Sequence, residues 1–129
     1  LRTFLLNQPM RVYGGFKGTE TQLSQYTTGT PTLLSGDVGI ANDSADNAFH
    51  VVMAIKDGLK DVSLENLVIT EGFASGNLNR NNIQSFYGGG LYNRGVELTL
   101  RNVVFHKNRS DDQGGALYND FNAATRCEQ

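Results

Sequence analysis

The chain has 129 residues, 39% of them hydrophobic and 19% charged, with fifteen glycines and a formal net charge of -2. That is room for one domain, too apolar for a disordered segment, and without the cationic excess that would point to nucleic acid or an anionic membrane. No apolar run approaches the roughly 18 residues of a bilayer span, and Cys127, the single cysteine, excludes an intrachain disulfide.

In chain order, residues 3–6, 10–13, 32–34 and 49–53 read as short strands, rich in β-branched and aromatic residues. Between them lie two polar stretches, GGFKGTETQLSQYTTGTP (14–31) and SGDVGIANDSADNA (35–48). In the second, Asp37, Asp43 and Asp46 stand among Asn42, Ser44 and Asn47. Such an oxygen-rich loop is a calcium candidate, although its spacing is not that of an EF-hand. The competing reading is local side-chain-to-backbone bonding in turns. Calcium is the one cofactor the sequence suggests.

From residue 62 the chain repeats itself. VSLENLVITEG (62–72) aligns without gaps on LTLRNVVFHKN (98–108), and YGGGLYNRG (87–95) on QGGALYNDF (113–121). The first pair is 36 residues apart and the second 26, so the unit is about 26 residues with an insertion near 74–86 in one copy. Inside the unit the period is two: Val62 and Leu64, like Leu98 and Leu100, share a face, while Ser63, Glu65, Thr99 and Arg101 point away. A polar Asn follows each apolar pair and the pattern then resumes, which describes a corner.

Short strands, corners and a fixed period predict an all-β, right-handed parallel β-helix of about four to five rungs. The expected layout is one solenoid over 1–129, with irregular rungs in 1–61 (about two of them) and regular ones in 62–129. Asn66 with Asn102, and Asn93 with Asn119, would stack as structural ladders. Glu65 would face Arg101, and Glu71 would face Lys107. The Gly pairs read as close approaches between rungs, because a phosphate loop would need a following helix and a Lys-Ser/Thr.

The segments VYGGFKGTETQLSQ, PTLLSGDVG, DNAFHVV, LENLVITEG and GGGLYN, spread over residues 3–119, together resemble a family of secreted bacterial right-handed parallel β-helix proteins with the pectin-lyase-like fold. A narrower likeness, in Phe105-His106-Lys107-Asn108 and Gly114-Gly115-Ala116-Leu117, is to the repeats of polymorphic outer-membrane proteins; the preceding copy has Ile69-Thr70-Glu71-Gly72 instead. The resemblance implies a protein secreted or held at the cell surface, and a chain that is a piece of a longer one. It implies no activity.

For catalysis the candidate carboxylates are Asp57, Asp61, Glu65, Asp111, Asp112 and Asp120, with Arg94 and Arg109 in reach of the Asp pair. Neither His50 nor His106 sits in a nucleophile signature. The expected function is therefore non-catalytic: adhesion, surface architecture or glycan contact, with a polysaccharide or a cell-surface protein as partner. Tyr92, Tyr118 and Arg80 are the candidate contacts, because aromatic ladders offer platforms for sugar rings. The alternative is a polysaccharide lyase or glycoside hydrolase on the same scaffold.

Overall fold

A computed structural model describes residues 3–76 and 86–129. The regular structure is almost all strand: β1 (Phe4–Leu6), β2 (Met10–Tyr13), β3 (Thr32–Ser35), β4 (Val52–Thr70), β5 (Phe73–Ala74), β6 (Leu91–His106), β7 (Arg109–Ser110), β8 (Leu117–Asp120) and β9 (Ala124–Glu128). Single 3-10 turns lie at Leu23–Gln25 and Ser44–Asp46. The strands form a seven-stranded sheet and a small β5–β7 pair, and every pairing is parallel.

The register shows how the chain is laid down. β1, β2 and β3 all pair with β4, at Val52, Val62 and Leu67 onward. β4 pairs with β6, and β6 with β8 and β9. The strands before residue 36 thus form one segment beneath β4, because three short strands share a single partner. The expected division at residue 61 also falls inside β4, so the irregular and regular parts are joined by one strand.

The repeat itself holds as read. Val62 pairs with Leu98 and Leu64 with Leu100, while Leu91 pairs with Leu117 and Asn93 with Asn119. Strand length does not. Short strands broken by corners were expected, but β4 has 19 residues and β6 has 16. The ladder continues because consecutive segments bend at the same place. Asn66 (φ 57) lies over Asn102 (φ 49), and Glu71 (φ 62) over Lys107 (φ 53). With both backbones turning together through the left-handed region, the inter-strand bonds pass round the corner.

Alternation sets the core. Val62, Leu64, Leu67 and Ile69 of β4 meet Leu98, Leu100, Leu91 and Val96 of β6 in one buried cluster, with Met10, Val12 and Leu34 packed on one side and Val103, Phe105 and Leu117 on the other. Full burial of each aliphatic side chain contributes about 1.5–3 kcal/mol. The glycines behave as spacers. A Cβ on Gly72 would strike the Gly89 carbonyl, and one on Gly90 the Ala116 carbonyl. The Gly run leads into strand β6 and not into a helix.

Candidate functional site

The four ladder asparagines are structural in their bonding. Asn66 is fully buried; its amide donates to the Gly14 carbonyl at 3.2 Å and the Thr27 carbonyl at 2.6 Å, and its Oδ1 accepts from Asn102 Nδ2 at 2.8 Å. Asn93 Nδ2 lies 3.0 Å from Asn119 Oδ1, Val96 O and Thr125 Oγ1. Asn108, which the sequence reading did not single out, works likewise: it accepts from Gly72 N–H at 3.0 Å and donates to the Ile69 carbonyl at 2.8 Å. Its place three residues after Phe105 was the signal that could have found it.

The tyrosines at 92 and 118 stack on consecutive segments, 6.1 Å between centroids and 17° apart in plane. They do not form an open platform. Tyr92 is 0% exposed, its hydroxyl donates to Asp120 at 2.5 Å, and His50 lies against its other side at 5.5 Å. Tyr87 covers Tyr118 at 4.7 Å. Burial first, then the Asp120 carboxylate, drive the Tyr92 phenol far above its ordinary pKa, so it stays a protonated donor. Tyr92 is therefore withdrawn as a ligand contact. The third candidate, Arg80, lies outside the described residues.

His50 is buried, and its Nδ1–H donates to the Gly88 carbonyl at 2.9 Å. Burial holds the imidazole below its ordinary value near 6.5, and the Gly88 bond offsets this only in part. A base whose folded pKa is depressed contributes stability that is complete above the unfolded value and is lost as pH falls below it toward the folded one. Urea midpoints measured from about pH 7.5 down to about pH 5 should therefore decline below pH 6.5. In His50→Asn, whose amide nitrogen replaces Nδ1, that component should vanish; an unchanged profile would remove His50 as its source.

A polar surface lies on the outward face of β2, β4, β6 and β9. In register across it run Arg11, Ser63, Thr99 and Arg126, and beside them Tyr13, Glu65, Arg101 and Glu128. Arg11, Ser63, Thr99, Arg126 and Arg101 border a groove of about 770 Å³ that also takes in Lys60 and Glu97. Glu65 does stand opposite Arg101 as expected, but the charges are satisfied elsewhere. Arg101 pairs with Glu128 at 2.8 Å on the following strand, while Glu65 accepts from the Tyr26 hydroxyl at 2.8 Å. Glu71 likewise accepts from Ser35 at 2.9 Å and not from Lys107. Each carboxylate has taken the partner nearer to hand, on a loop or strand that the repeat alignment does not include.

In the acidic loop each of the three carboxylates accepts a local backbone N–H, as the turn reading requires. Asp43 caps the Ser44–Asp46 turn through the Ala45 N–H at 2.9 Å, and Asp46 accepts from Ile40 N–H at 2.7 Å. Asp37 accepts from Asn42 N–H at 3.0 Å. Among the described residues no three His, Cys, Asp or Glu side chains are grouped to hold a metal ion, so the Asp37, Asp43, Asp46 triplet does not form.

Of the carboxylates considered for catalysis, Asp112 and Asp120 both lie about the Tyr87–Tyr118–Tyr92 stack. Glu65 accepts from Tyr26 and Asp120 from Tyr92, and burial, then nearby Asp112, pushes the Tyr87 phenol up in pKa. Arg109 lies over the Phe73 ring at 4.5 Å and Arg94 over Phe121 at 5.9 Å. Cys127 is free and exposed. No described helix is long and apolar enough to cross a membrane. Compared with known proteins, the chain matches no family model, no curated protein and no solved structure.

Proposed function

We propose that this chain is a right-handed parallel β-helix of a secreted or surface-held protein, acting without catalysis by laying its outward strand wall against an extended glycan. The observation that carries the reading is the register row Arg11, Ser63, Thr99, Arg126, one side chain from each of four successive parallel strands. Neighbouring strands are about 4.8 Å apart, so the row spans about 14 Å. Arg11 and Arg126 offer guanidinium donors and Thr99 a hydroxyl, while Ser63 between them is buried. Beside them Glu97 and Glu128 pair with Lys60 and Arg101, which makes a charge-balanced surface suited to a polyhydroxylated chain. At one end Tyr13, Tyr26 and Phe16 cluster at 6.1–6.2 Å, where a sugar ring could stack. The wall thus takes the role that the sequence reading assigned to Tyr92 and Tyr118.

Native electrophoresis through gels cast with plant, algal and bacterial polysaccharides tests this. One polymer should retard the protein without being consumed. Arg11→Ala combined with Arg126→Ala should reduce the retardation by at least half, whereas Tyr92→Phe should leave it intact. Clearing of the polymer along the track would make the protein a lyase or hydrolase, and free migration in every gel would leave protein contact or surface architecture as its role.

A further inference from the structure

The loop from Gly36 to Ala48 is closed at its neck by the Ala48 N–H to Gly36 carbonyl bond, 2.8 Å. Directly inside this neck are Asp37 and Asn47. Asp37 Oδ1 and Asn47 Oδ1 are both fully buried side-chain oxygens without a hydrogen-bond partner. Both residues line one cavity of about 180 Å³, together with Asn42, Ser44 and Glu71. Their other polar atoms are committed: Asp37 Oδ2 to Asn42 N–H, and Asn47 Nδ2 to the Glu71 carbonyl at 2.7 Å. Glu71 Oε2 receives the Ser35 hydroxyl, leaving Oε1.

Buried oxygens without donors are costly, because desolvation is not repaid. Two of them lining one cavity, both able only to accept, call for a donor or a cation there, and the Asp37 and Glu71 charges favour a cation. We infer that the neck of this loop binds a hard divalent cation of the calcium class through Asp37, Asn47 and Glu71, with Asn42 and Ser44 as further oxygen donors. Asp43 and Asp46 take no part, since their bonds hold the loop's own backbone.

The charge balance sets the strength. Asp37 and Glu71 supply two negative charges, while Lys107 and Arg109 also line the cavity. Arg109 is drawn over Phe73, and both cations oppose a bound ion and weaken the site. A flexible site with two carboxylates and amide oxygens belongs to the weak class of calcium modules, with dissociation constants on the order of 10⁻⁴–10⁻³ M.

The experiment is calorimetric titration of the EDTA-treated chain with calcium chloride, alongside thermal melts over the same range. A saturable heat should appear, with a melting temperature that rises once calcium exceeds its dissociation constant. Magnesium, which demands tighter octahedral geometry, should give neither. Asp37→Asn keeps an acceptor for Asn42 N–H and removes the charge, so it should weaken binding at least tenfold; if it fails to fold, Glu71→Gln serves in its place. Asp43→Asn should bind as the parent chain does. No heat and no melting shift up to about 10 mM calcium would overturn the site and leave a water-filled cavity. Equal loss in Asp43→Asn would overturn the ligand set.

Discussion

Asn66→Leu should lower stability by about 3 kcal/mol or more, a fall in melting temperature on the order of 10 °C. The substitution leaves the carbonyls of Gly14 and Thr27 without their amide donor and strips Asn102 of its acceptor. Each buried group left unpaired costs about 1–3 kcal/mol. It also places a branched side chain at φ 57, in a region that costs an L-residue about 1–2 kcal/mol. Asn66→Gly separates the two effects, since glycine tolerates the backbone but supplies no amide; it should recover only the strain. Asn102→Leu, at an exposed position, should cost less. If Asn66→Leu melts with the parent chain, the ladder has no energetic role.

Gly89→Ala should be comparably damaging from a single methyl group. A Cβ at this position would strike the Arg109 carbonyl and press on the Gly115 carbonyl at 3.0 Å. Both neighbours are backbone, so neither can rotate away. Relief requires separating the segments where Val51 N–H bonds to the Gly89 carbonyl at 3.2 Å and Gly90 N–H bonds to Gly115 at 3.0 Å. Overpacking a side-chain core typically costs about 1–3 kcal/mol; against fixed backbone the upper end or beyond is expected. Gly29→Ala is the control, because nothing lies within 4 Å of its added Cβ and its φ is not positive. Urea titrations should show Gly29→Ala near neutral and Gly89→Ala strongly shifted. Equal midpoints would mean that the segments are not in close approach at Gly89.

The parts of the fold legible in the sequence were those in which one residue type serves one position. Inward Val62 and Leu64, outward Ser63 and Glu65, and the corner Asn66 each follow from alternation and left-handed preference, and the repeat doubled the evidence. The three short strands of the first segment were legible one by one, at 4–6, 10–13 and 32–35, but not that they belong together, because residues 14–31 separate the second from the third. Their common partner is visible only in the register. The site was harder still. Tyr92 stands at an outward position by alternation, and its burial depends on His50, Tyr118 and Asp120. Arg101 was matched to the correct facing residue, yet it pairs with Glu128. Alternation says which way a side chain points; it says nothing of which neighbour reaches it first.

The all-parallel register bears on how the chain reaches this state. Among the described residues no sheet pairing is a hairpin, so a first contact between these strands has to close a loop of a few tens of residues before any bond repays the lost entropy. Once β4 and β6 have met, each further strand finds a finished template whose bends already match its own. Folding should accordingly be slow to nucleate and quick to extend, and the β4–β6 pair should form the structured part of the barrier. Until that pair closes, two long hydrophobic strands carry open edges, which makes this interval the one in which the chain is exposed to self-association.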